Sequence, residues 1–131
     1  MNPSSSTSRT CGFRLSRFDA VILLLGAVLS WWLMSQSFPL WWIVPTSLGH
    51  FFLFCNVFLV WRRWELLWAV AFVLNVGVHL VFGTLDWLSP MLFQLPVTVM
   101  VIMWQILSPW YHGVFAERLN PRLKEYLAAR L

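Results

Sequence analysis

Four apolar runs set the pattern of this chain: Ala20 to Met34, Leu40 to Trp61, Leu66 to Gly83, and a last one from Ser89-Pro90 to Ser108-Pro109. None carries Asp, Glu, Lys or Arg in its interior. A helix of ~20 residues crosses ~30 Å of hydrocarbon, so each run is long enough, or nearly so, to span a bilayer. Barrel strands alternate apolar and polar residues with a period of two. Leu23-Leu24-Leu25 and Phe51-Phe52-Leu53-Phe54 do not alternate, so the runs predict helices. The spacing places them at about 19–35, 40–61, 65–83 and 90–109.

Punctuation agrees. Ser16-Arg17-Phe18-Asp19 matches a capping box before the first run. Ser37 and Pro39 supply cap and first-turn chemistry for the second, which Arg62-Arg63 stops. The expected fold is an all-α membrane protein: four transmembrane helices in an up-down bundle, plus a short amphipathic C-terminal helix. Residues 1–17, polar and rich in Ser and Arg, predict a disordered tail. Residues 18–110 form the four-helix transmembrane domain, and 111–131 an amphipathic tail. In that tail Asn120-Pro121 predicts a helix start, and Leu123, Tyr126, Leu127 and Leu131 share one face suited to the headgroup level.

Composition narrows the class. The 131 residues are 60% hydrophobic and only 11% charged. Soluble domains run at roughly 45–50% apolar and about 25% charged. Soluble, disordered and disulfide-rich secreted chains are therefore excluded. The net charge of +4 does not form a nucleic-acid patch, because the basic residues flank apolar runs. Arg9, Arg14, Arg17, Arg62, Arg63, Arg118, Arg122, Lys124 and Arg130 fall in three segments that four spans place on one side. The positive-inside rule then makes both termini cytoplasmic, in a bacterial-type inner membrane. Trp31, Trp32, Trp41, Trp42 and Trp87 mark the outer interface, and Trp61, Trp64 and Trp110 the inner one, as aromatic anchors. A competing reading makes residues 1–34 a signal peptide cleaved near Ser35-Gln36-Ser37.

No CxxC, P-loop, GxGxxG, HExxH or GxSxG occurs. The first run has no embedded Glu of the kind that small four-helix multidrug exporters carry; Asp19, at its boundary, reads as a cap. Chemistry must come from polar side chains within the spans, where they are costly. His50 and Asn75 lie at nearly equal distances from the Arg63 turn, so they predict a meeting near the midplane. His79 shares a face with Asn75, and Thr46 and Ser47 lie beside His50. Gln94 and Thr98 can join from the fourth helix.

Three readings fit the cluster Thr46, Ser47, His50, Asn75, His79, Gln94 and Thr98. The first is interhelical hydrogen bonding that fixes packing, with no cofactor and no metal. The second is a haem b site using His50 and His79, in an electron-transfer subunit. The third is a small proton-coupled transporter with titrating histidines. Elsewhere, His112 reads as an interface residue, Cys55 as a buried hydrophobe, and Asn56 pairs with Gln105 or Ser108. The expected role is a non-enzymatic accessory, assembly or interaction subunit. Its partners would be the lipid bilayer and a larger membrane complex or a homo-oligomer, with no nucleic acid.

Overall fold

A computed structural model describes residues 10–128 and 130. The chain is helical, with no strand among those residues. α1 runs Arg17–Ser35, α2 Ile43–Phe52, α3 Arg62–Val81 and α4 Leu88–Ile106. Two short helices follow, α5 (Ala116–Leu119) and α6 (Leu123–Leu127). α1, α3 and α4 are long and apolar enough to cross a membrane.

The capping box at α1 is present. Asp19 N–H donates to Ser16 Oγ at 3.1 Å, and Ser16 N–H donates to Asp19 Oδ2 at 2.9 Å. The far end of α1 departs from expectation. Ser37 does not cap α2. It sits in the left-handed region at φ 56° and terminates α1. Phe38 N–H reaches Leu33 C=O and Ser37 N–H reaches Met34 C=O, both at 3.0 Å. These are the two bonds of a Schellman ending. Gly83 ends α3 in the same way, with Thr84 N–H on His79 C=O at 2.9 Å.

The second run is not one long helix. α2 passes at Leu53 into a π turn, Leu53–Val57, and together they extend only ~22 Å at 1.5 Å per residue. The chain then unwinds. Leu59 is left-handed at φ 48°, and Val60 N–H bonds back to Phe54 C=O at 2.7 Å. Gln105 of α4 holds the unwound backbone: its Nε2 donates to Leu59 C=O at 3.1 Å, and its Oε1 accepts from Trp61 N–H at 3.4 Å. Gln105 is therefore not a partner for the Asn56 side chain. Arg62-Arg63, expected to stop the second helix, instead open α3.

Neighbouring helices run antiparallel. Leu48 of α2 packs against Gly26 of α1, and Ser30 donates to Trp41 C=O at 3.4 Å. α1 buries only Gly26 and Ser30 and leaves its other faces open. The core forms among α2, α3 and α4 from Trp42, Phe54, Trp68, Phe72 and Val101. Trp42 is thus a core residue at 3% exposure rather than an interface anchor. Trp31, Trp32, Trp61, Trp87 and Trp110 are exposed, while Trp41 and Trp64 are half-buried. The Arg63 guanidinium lies 4.6 Å from the Trp61 ring and 5.4 Å from Trp64.

The chain ends close over one end of the bundle. Residues 1–9 of the expected disordered tail lie outside the described residues. From residue 10 the segment is ordered: Gly12 N–H bonds to His112 C=O and Arg14 N–H to Asn56 C=O. Leu123 is buried with Tyr111 and Ala116 and Tyr126 packs against them, while Leu127, expected on the same face, is 36% exposed. Leu131, expected on the same face, lies outside the described residues. Asn120, which precedes α6, donates to Pro109 C=O at 2.9 Å and Tyr111 C=O at 2.8 Å.

Candidate functional site

α4 positions the polar cluster. Pro90, Gln94, Thr98, Val101 and Gln105 are its buried residues, and they recur at three- and four-residue intervals along one face. α3 answers with Trp68, Phe72 and His79 buried and Asn75 half-buried on the same stripe.

Thr98 Oγ1 is the junction. It accepts from Trp68 Nε1 at 2.8 Å and lies 3.1 Å from His50 Nε2 and 3.2 Å from Gln94 C=O. His50 Nδ1 lies 2.9 Å from Thr46 C=O. A carbonyl only accepts, so Nδ1 carries the proton and Nε2 of the neutral ring accepts from the Thr98 hydroxyl. The result is a directed chain from Trp68 through Thr98 and His50 to the α2 backbone. The His50 ring stacks on Trp68 at 4.4 Å and 22°, and Trp68 stacks on Phe72 at 5.1 Å and 13°. Phe54 closes the column edge-on to both His50 and Trp68.

Asn75 does not meet His50. Its Nδ2 donates to Pro90 C=O at 2.7 Å and to Gln94 Oε1 at 3.3 Å. Gln94 in turn donates from Nε2 to Trp68 C=O at 3.3 Å. Gln94 of α4 joins the two histidine neighbourhoods. His79 Nδ1 bonds to Asn75 C=O at 2.9 Å, and its ring packs on Phe93 at 5.5 Å. Thr46 reaches Met91 Sδ at 3.6 Å. Ser47 stands apart from the cluster and lines an apolar groove with Leu48, Phe51 and Glu65.

Trp68, which donates to that junction, is the residue of the site missed in the sequence. Its position four residues before Phe72 and seven before Asn75 was the available signal. Among the described residues, no group of three or more His, Cys, Asp or Glu is arranged to hold a metal ion. Outside the spans, Asp86 caps the start of α4, accepting from Ser89 N–H and Oγ at 2.9 Å each. Those bonds hold its carboxyl below the usual range, with His79 a smaller contributor. Comparison with family models, curated proteins and solved structures finds no match for the chain.

Proposed function

We propose that the chain is a non-enzymatic accessory or assembly subunit of a bacterial-type inner membrane, crossing it four times with both termini cytoplasmic. One observation carries the reading: the His50 side of the polar cluster is spent on itself. His50 uses both ring nitrogens, and the Thr98 hydroxyl and the Trp68 indole N–H pair with each other. Such closed bonding sets helix register, with each bond worth ~1 kcal/mol or less. A haem held between His50 and His79 would have to break the bonds of His50, and the two rings sit in different surroundings. A proton pathway lacks an acid in the cluster; Glu65 stands in the first turn of α3. The open sides of α1 suit contact with a partner subunit or lipid.

Two measurements test this. The purified full chain should show no Soret band; a band lost in His50→Ala would overturn the packing role in favour of haem. A photo-crosslinking residue at Leu24 or Val28 of α1 should give one discrete adduct in native membranes. Lipid adducts alone would remove the subunit role.

A further inference from the structure

An apolar groove of about 370 Å³ runs between α2 and α3, with Phe51, Phe54, Trp68 and Phe72 among its walls. One wall residue carries a charge: Glu65, half-buried in the first turn of α3. Val73 lines the same groove ~12 Å further along α3, at 1.5 Å per residue. The groove thus joins a charged end, at the start of a helix long and apolar enough to cross a membrane, to an apolar trough within that helix's length. Arg62 and Glu65 stand three residues apart on α3, a spacing at which side chains are neighbours. Yet no basic nitrogen among the described residues forms an ion pair with Glu65. Its carboxylate accepts from the Cys55 thiol at 3.5 Å, and a thiol is a weak donor. Arg63 lies over the Trp61 and Trp64 rings instead. A carboxylate and a guanidinium therefore stand near each other without closing on each other, at the mouth of an apolar groove.

Two opposite charges beside an apolar trough complement a zwitterion with a hydrocarbon tail. We propose that this groove holds one molecule of phosphatidylethanolamine. Its ammonium donates to the Glu65 carboxylate, its phosphate pairs with the Arg62 guanidinium, and one acyl chain lies along Phe51, Phe54 and Phe72. Charge-assisted bonds of both kinds are the strong ones, and a guanidinium fits a phosphate. The same arrangement discriminates among headgroups. A primary ammonium carries three N–H donors for the carboxylate. A choline headgroup brings the charge but no N–H. A glycerol headgroup leaves the lipid anionic, with no cation to set against Glu65. The proposal rests on the chain lying in a bilayer, and it does not depend on the subunit role above.

The test offers the full chain, purified in dodecyl maltoside, equal amounts of phosphatidylethanolamine, phosphatidylcholine and phosphatidylglycerol with the same acyl chains. Retained lipid is read by native mass spectrometry. The chain should keep one phosphatidylethanolamine in preference to the other two. Glu65→Gln should weaken that retention about tenfold, the lower end for a hydrogen bond involving charged groups. Ala69→Trp, which fills the groove and leaves both charges in place, should displace the lipid. If either variant fails to fold, the wild type decides through the N-methyl series: retention should fall from phosphatidylethanolamine through its monomethyl and dimethyl forms to phosphatidylcholine. Equal retention along that series, a preference for phosphatidylglycerol, retention of no lipid, or a folded Glu65→Gln chain that keeps the wild-type preference would each overturn the proposal.

Discussion

Thr98 shows how one hydroxyl can fix three helices. It accepts a hydrogen bond from the α3 indole N–H and shares its own hydroxyl hydrogen between the α2 imidazole and the Gln94 carbonyl. Replacing it with Val keeps the shape but strands both partners at a site that is 7% exposed. An unpaired buried group costs about 1–3 kcal/mol, so Thr98→Val should destabilise the folded chain by at least that much. Thr98→Ser should recover most of the loss. Unfolding by SDS titration in mixed micelles reads both, and equal stability of Val and wild type would remove the junction role. The polar residues themselves were legible, because charge-free runs make His, Asn, Gln and Thr conspicuous. Their partners were not. Equal depth suggested that His50 meets Asn75, but depth gives no azimuth, and the α4 stripe comes between them. Asp86 makes a different residue-scale prediction. Its carboxyl pKa is held below the ordinary 3.8 in the fold, so its contribution to the α4 cap is present above that value. It is lost as pH falls through the lower folded value. The protection factor of the Ser89 amide, which removes the intrinsic pH dependence of exchange, should fall on acidification through that range, and in Asp86→Asn it should not change there.

Helix starts and stops were readable where the signal is local. The box at Ser16 and Asp19 lies within four residues, and α1 begins where it predicts. The break after Phe52 has no local signal, since Leu53 to Trp61 is as apolar as what precedes it. It depends on a glutamine far along the chain that bonds the unwound carbonyl and amide. Gly113 has the same non-local character. A Cβ there would come within 2.7 Å of Val57 O and 2.9 Å of the Phe58 carbonyl, all backbone. At Gly26 the obstacle is only the end of the Leu48 side chain, which can rotate away. Gly113→Ala should therefore push the tail off the π turn and break the Val114 N–H bond to Val57 C=O. Limited proteolysis should cut between residues 111 and 123 much faster in Gly113→Ala than in wild type, and little faster in Gly26→Ala. Comparable protection of both variants would mean that the tail is held elsewhere.

For the molecule as a whole, the ends matter more than the middle. A tail docked through buried Tyr111 and Leu123 has spent that part of its apolar surface on protein. The exposed ion pair of Arg122 with Glu125 at 3.5 Å adds little. Tyr111 donates its hydroxyl to Val114 C=O at 2.7 Å, and burial raises its pKa to about 12. A raised value means that its stabilising share is whole below 10 and fades as pH climbs towards 12. The same docking ties the two ends of the chain together, because Gly12 bonds to His112. Under the proposed topology an even number of spans would permit this, and the positive-inside rule would make that shared side cytoplasmic. Cys11 and Glu117 line one shallow pocket, so they provide the measurement. In a Cys55→Ser background, Glu117→Cys should be joined to Cys11 by a short bis-maleimide in sealed inverted vesicles, giving a faster-migrating band. Right-side-out vesicles treated with an impermeant form of the reagent should give none. No link in inverted vesicles, with the two thiols labelled singly by an impermeant maleimide from opposite faces, would place the two ends on opposite sides, and the four-span arrangement would fall with it.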